Sequence, residues 1–191
     1  MKASGITLLS LALFLFCASF VTPAPPELAE EINWITFEQA VEKMKTEKRK
    51  IFIDVYTDWC GWCKVMDKKT FTDPKIAKIL NEEFYAVKFN AEQREDVVFN
   101  GHTFKFVESG RSGYHQLAAS LLNNQLSYPN FVFLSDEFHL IPVKEGYTSL
   151  PGFHEPHAFH FYLSYVAEDH YTKMKITDYT KVYQSPYKAV N

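Results

Sequence analysis

Two cysteines, Cys60 and Cys63, fall in the stretch WCGWC just beyond the apolar run KIFIDVY (Lys50 to Tyr56), and this juxtaposition restricts the fold more than any other feature of the chain. A short run that is apolar nearly throughout suits a strand buried on both faces. The segment from Cys60 to about Lys69 reads as helical, and Asp73-Pro74 opens a second helix through Ile76, Ile79 and Leu80. FYAVKFN (Phe84 to Asn90) then returns as a strand. Strand, helical crossover and strand make a parallel βαβ unit, so the sequence predicts an α/β protein.

Upstream, Thr36 and Gln39 have the spacing of a capping box, with Phe37, Ala40, Val41 and Met44 at helical intervals behind them. Residues 91–113 interrupt the pattern: DVVFNGHTFKFV carries Asn100-Gly101 between two β-rich runs, a hairpin signal, and SGRSG closes the insertion. Tyr114 to Leu122 reads as a helix, and YPNFVFL and HLIPVKEGY as two strands joined at Ser135-Asp136-Glu137. Pro156 to Glu168 is a last amphipathic helix with Phe159, Tyr162, Leu163 and Val166 along one face. The polar, tyrosine-rich tail from Tyr171 to Asn191 has no assignable pattern, and no internal repeat is present.

The first residues have the layout of a secretory signal. Lys2 precedes an apolar run from Ile6 to Phe16, with small residues at Cys17 and Ser19, which predicts cleavage after Ser19 and export. The alternative is a membrane anchor through the same segment, but Ile6 to Val21 is shorter than the roughly 18–20 residues a spanning helix needs. FVTPAPPELAEE, residues 20–31, reads as a Pro-rich acidic linker, leaving one domain over 32–170 and a C-terminal extension over 171–191. A formal net charge of −3 gives no electrostatic footprint for nucleic acid. The basic cluster from Lys43 to Lys50 fits the last turn of a helix, where cations complement the dipole.

Once Cys17 leaves with the signal, only Cys60 and Cys63 remain. A structural disulfide normally staples distant segments, and a zinc site commonly takes two such pairs, so one lone pair is a weak start for either. A redox couple needs only these two. With Cys60 in the first turn of a helix, backbone N–H groups and the dipole favour a thiolate there. Cys63, one turn on, is placed to close a disulfide with it. His154, His157 and His160 in HEPHAFH match no known zinc pattern and read as histidines of a polar helix face.

IFIDVYTDWCGWCKVM resembles the active-site strand and helix of the thioredoxin superfamily. It is most similar to exported thioredoxin-like proteins with a WCGWCK-type motif followed by a phenylalanine and Asp-Pro, here Phe71 and Asp73-Pro74. The resemblance spans about Trp34 to His170 apart from the insertion. It implies a thioredoxin-like fold: a central mixed β-sheet flanked by helices, with the 91–113 segment as a hairpin insertion. Trp62 stands where thioredoxins carry a proline between the cysteines, and Lys68 where they carry the proline that bends the active-site helix.

The resemblance also implies roles. Cys60 would be the nucleophile and Cys63 the resolving thiol. Asp54 would be a buried carboxylate that exchanges a proton with Cys63, and Lys88 its partner on the following strand. Pro129 would be cis, turning the backbone of Tyr128 toward the sulfurs, and Trp59 and Trp62 would shape the substrate contact. The expected activity is thiol–disulfide oxidoreduction, most simply reduction, on disulfide-containing proteins of an oxidising compartment such as the periplasm. A membrane electron-transfer protein would act as reductant, and no flavin or metal cofactor is implied. The rival expectation is a non-catalytic binding or chaperone-like module that uses the same fold as a recognition surface.

Overall fold

The computed structural model describes residues 31–110 and 112–188, so the predicted signal segment and all of the linker except Glu31 lie outside it. Thr36 caps helix α1 (Phe37–Lys43) through the full capping box with Gln39, as the spacing predicts. Strand β1 (Lys50–Tyr56) follows, then helix α2 (Gly61–Lys69) and helix α3 (Pro74–Glu83). The Asp73 carboxylate accepts the N–H groups of Lys75 and Ile76 and so starts α3, with Pro74 pre-set for its first turn. Strand β2 (Phe84–Asn90) runs parallel to β1 in a register that puts Asp54 beside Lys88.

Two hairpins separate β2 from helix α4 (Gln116–Leu121): β3 (Val97–Phe99) with β4 (His102–Phe104), and β5 (Phe106–Ser109) with β6 (Ser112–His115). The first turns at Asn100-Gly101, both at positive φ (50° and 74°), the backbone that an Asn-Gly hairpin turn requires. Its Val97 is buried and its Phe99 ring meets Phe37 edge-on at 5.2 Å, so the hairpin joins the core. The second hairpin corrects the expected helix start. Tyr114 and His115 belong to β6, and α4 begins only at Gln116, capped by the His115 ring. Gly113 permits this: a Cβ there would lie 2.1 Å from the Phe106 ring, which packs across the bare backbone.

Strand β7 (Asn130–Leu134) pairs antiparallel with β1, and β8 (Ser149–Pro151) with β7, giving one mixed sheet in the order β2-β1-β7-β8. The edge strand is thus not HLIPVKEGY. That segment touches β7 through an isolated bridge from Leu140 to Leu134. Pro142 then removes a donor, and the chain turns back between Lys144 and Tyr147 with Gly146 at φ +81°. At the opposite edge, Ile35 bridges in parallel to Val87, accepting the N–H of Lys88 and donating to Ala86.

Both faces of the sheet are buried, which is why β1 shows no alternation in hydrophobicity. Phe52, Phe131 and Phe133 pack with Met66 of α2, with α3, and with helix α5 (Pro156–Ala167) through Phe159 and Leu163. Ile51, Ile53, Val55, Val87 and Phe89 pack on the other face with α1 and α4. The described part of the tail packs around α5: in helix α6 (Ile176–Tyr179), Tyr179 is buried against Phe161, Tyr165 and His170. The Tyr187 hydroxyl donates to Asp73. The thioredoxin-like α/β fold expected from the sequence is the fold found.

Candidate functional site

The side-chain alternation of β1 decides which residues share the sheet face on which α2 packs. Phe52 lies on the face of α2, α3 and α5, and so does Asp54 two residues on, while Ile53 and Val55 point to the other face. The strand ends at Tyr56, and a short turn delivers Cys60 to the N-cap of α2. Cys60 and Cys63 are joined in a disulfide with Cα atoms 5.3 Å apart. The Cys60 sulfur accepts the backbone N–H of Cys63 at 3.0 Å, so it sits at the positive end of the helix. Each cysteine is only 3% exposed.

The tryptophans on either side behave differently. Trp59 is 66% exposed and Trp62 is 61%, an apolar surface around an almost covered disulfide. The Trp59 ring meets Tyr128 edge-on at 6.0 Å, and Trp62 lies 5.6 Å from Phe153. The Tyr128–Pro129 peptide is cis, and the Pro129 carbonyl accepts the N–H of Gly152 at 2.8 Å. Burial, with the Glu92 carboxylate adding to it, pushes the Tyr128 phenol up to about 12.

Asp54 is 1% exposed. Removal from water pushes its proton affinity up to about 7, against the pull of Lys88 and with help from the charge of Asp67. Its Oδ2 lies 3.4 Å from the Lys88 ammonium, and its Oδ1 has no hydrogen-bond partner among the described residues. The lysine is shared: it also hydrogen-bonds the carboxylate of Asp67 on α2. Lys88 thus stands beside Asp54 and also pairs with Asp67, a second carboxylate that the sequence reading did not include.

Two residues at the site escaped sequence reasoning. Asp67 lies one helical turn after Cys63, a spacing that the sequence does display. Glu92 follows β2 and uses both carboxylate oxygens, accepting the Trp59 indole N–H at 3.0 Å and the Ser112 hydroxyl at 2.9 Å. It thereby ties the second hairpin to the tryptophan beside Cys60. No local pattern announces it, since its partners are distant in sequence.

The three histidines of HEPHAFH do not share one polar face. The His154 ring packs on Phe131 and Phe159 and bonds the Pro151 carbonyl, while His160 meets the hydroxyls of Tyr183 and Ser164. Burial holds both below the usual histidine range. The aromatic residues around them make that side of α5 less polar than the sequence suggested. Among the described residues no group of three or more His, Cys, Asp or Glu side chains is arranged to hold a metal ion.

Comparison with known proteins agrees with this geometry. The family model Thioredox_DsbH, described as "Protein of unknown function, DUF255", matches residues 26–139. Uncharacterized protein B0495.5 of Caenorhabditis elegans is 33% identical over 116 residues, 60% of this chain and 14% of that protein. Spermatogenesis-associated protein 20 of Homo sapiens is 31% identical over 84 residues, 44% of this chain and 11% of that protein. Thiol:disulfide interchange protein DsbD of Haemophilus ducreyi is 40% identical over 60 residues, 30% of this chain and 10% of that protein. The chain thus spans a small part of the length of each. Among solved structures, a DsbH oxidoreductase superposes with a TM-score of 0.50 at 16% identity, covering 78% of this chain and 92% of its own. A thioredoxin-fold protein from Helicobacter pylori superposes with a TM-score of 0.52 at 14% identity, covering 78% and 87%. Matched by the family model from residue 26 to residue 139, this chain belongs to the Thioredox_DsbH family.

Proposed function

We propose that this chain is an exported thiol–disulfide oxidoreductase that reduces disulfides of other exported proteins. The observation that carries the reading is a nearly covered disulfide at the N-terminus of a helix whose Asp67 shares the Lys88 cation with the buried Asp54. Similarity to thiol:disulfide interchange protein DsbD over the segment it shares supports the same chemistry. The N-terminal apolar segment supports export, to the periplasm in a cell that has one; retention of that segment as an anchor is the alternative.

In the reduced protein, Cys60 is the thiolate, stabilised by the N–H groups and dipole of α2. It attacks one sulfur of a substrate disulfide, forming a mixed disulfide and releasing the other sulfur as a thiolate that takes a proton from water. Cys63 then gives its proton to Asp54 and attacks the Cys60 sulfur. The Cys60–Cys63 bond forms, and the substrate leaves with its second sulfur reduced. Two electrons have moved from the dithiol to the substrate, and the two cysteines carry both, so the cycle needs no flavin or metal. The Tyr128–Pro129 backbone would pair with an extended substrate backbone, and the exposed Trp59 and Trp62 would give it apolar contact. A membrane electron-transfer protein would restore the dithiol.

Equilibration against glutathione and dithiothreitol buffers tests the direction. A reductase should have a potential near that of thioredoxin, about −270 mV, whereas a value near that of DsbA, about −120 mV, would make the protein a disulfide donor instead. A disulfide that exchanges with neither buffer would leave only a binding module.

A further inference from the structure

Asp54 and Lys88 stand side by side in the parallel register of β1 and β2. The ammonium is nevertheless 3.4 Å from the nearer Asp54 oxygen, long for a hydrogen-bonded pair, because its bond goes to Asp67. The rings of Tyr56, Trp34 and Phe71 surround it, with centroids 5.1, 5.3 and 5.8 Å away. An open cleft of about 460 Å³, lined in part by Trp34, Asp67, Phe71 and Lys88, connects this cluster with solvent. The helix that begins at the cysteines therefore also carries the carboxylate that competes with Asp54 for the one cation acting on it among the described residues.

We propose that Asp67 is a positioning residue for proton exchange at Asp54: it holds the Lys88 ammonium toward the cleft and so sets the pH at which the buried carboxylate ionises. The consequence for turnover rests on the oxidoreductase reading; the competition for Lys88 does not. The charged groups acting on Asp54 are Lys88 from β2 and Asp67 from α2. Strand β7 presents apolar Phe131 opposite it, Tyr56 on β1 adds a neutral phenol, and Glu31 lies on the wall of the cleft. Asp67 acts in two ways with one sign. Its negative charge opposes ionisation of Asp54, and its hydrogen bond draws away the cation that would favour it.

Replacing Asp67 by asparagine keeps the shape and removes the charge. Lys88 then turns to Asp54, whose ionisation should move to lower pH by about one unit, the small end of the range for a neighbouring charge. The measurement is a carbon-13 carboxyl titration of Asp54 in the oxidised full-length chain, comparing wild type, Asp67→Asn and Asp67→Glu. Asp54→Leu identifies the signal. The expected result is a lowered midpoint in Asp67→Asn and a near-wild-type midpoint in Asp67→Glu, whose longer arm still reaches Lys88. An unchanged midpoint in a folded Asp67→Asn protein would overturn the proposal, as would an upward shift. Because the titration is read on the resting disulfide form, it decides the role of Asp67 whether or not the chain reduces any substrate. In turnover, where Asp54 must be ionised to accept the Cys63 proton, the acid limb of the pH–rate profile should move down by the same amount. A purely structural role would lower the rate at every pH alike.

Discussion

Replacing Asp54 by leucine should make the protein more stable, and by an amount that grows with pH. The carboxylate is 1% exposed, and its proton affinity is raised from 3.8 to about 7 by burial. With the folded value above the unfolded one, the native state binds the proton more tightly across that interval. The stability this represents is present in full below pH 3.8 and is lost as pH rises to about 7. Three units or so, at about 1.36 kcal/mol per unit, amount to about 4 kcal/mol withheld from the native state at pH 8. Leucine has nearly the shape of aspartate and cannot ionise, and Lys88 keeps its bond to Asp67. Urea unfolding of the oxidised protein at pH 4, 6 and 8, wild type against Asp54→Leu, reads the difference directly. Other titrating groups act on both chains and cancel. The advantage of leucine should widen by about 4 kcal/mol between pH 4 and pH 8. A difference that stays constant, or narrows as pH rises, would refute the claim that Asp54 is forced to ionise inside the protein.

Three further outcomes follow from packing. Glu92→Ala should leave stability within about 1 kcal/mol, the worth of exposed hydrogen bonds. Freed of its indole partner, Trp59 should change its fluorescence, and kcat/KM for a folded protein disulfide should fall about fivefold while a small aromatic disulfide reacts as before. Gly113→Ala should cost about 1–3 kcal/mol in chemical unfolding. Adding Phe106→Ala should recover only part of it, because the Val107 carbonyl also stands 2.5 Å from the new Cβ. Tyr179→Ala should lower stability by about 3–5 kcal/mol in thermal unfolding, the scale for losing a buried aromatic ring; a loss within error would mean that the tail does not share the core.

The central architecture was legible because its signals are long or chemically unambiguous. KIFIDVY and FYAVKFN coincide with β1 and β2 because a buried parallel strand must be apolar throughout. Thr36, Asp73 and Pro74 mark helix starts because orphan N–H groups demand particular side chains. Ser149–Pro151 could not be found in this way, since three residues display no period, and the longer run HLIPVKEGY drew the assignment instead. The second hairpin was hidden because Tyr114 and His115 adjoin a helical run, and the Phe106 ring over Gly113 is a tertiary fact. At the site, residues near Cys60 in the chain could be read from the motif. Glu92 could not, because it becomes a partner of Trp59 only when the second hairpin folds back to it. Asp67 was within reach, one turn from Cys63 on the same helix, but the motif drew attention only to Asp54 and Lys88.

A sheet with two flanks runs the risk of adding other extended chains to its edges. Here both flanks are blunted. Beyond β2, the single residue Ile35 occupies the middle of the strand, taking up the carbonyl of Ala86 and the N–H of Lys88. Beyond β7, the last strand is three residues long and ends in Pro151, which has no N–H to give. Among the described residues neither flank offers a long unpaired edge on which another extended chain could add. Edges so blunted should keep copies of this chain from pairing edge to edge even at high concentration.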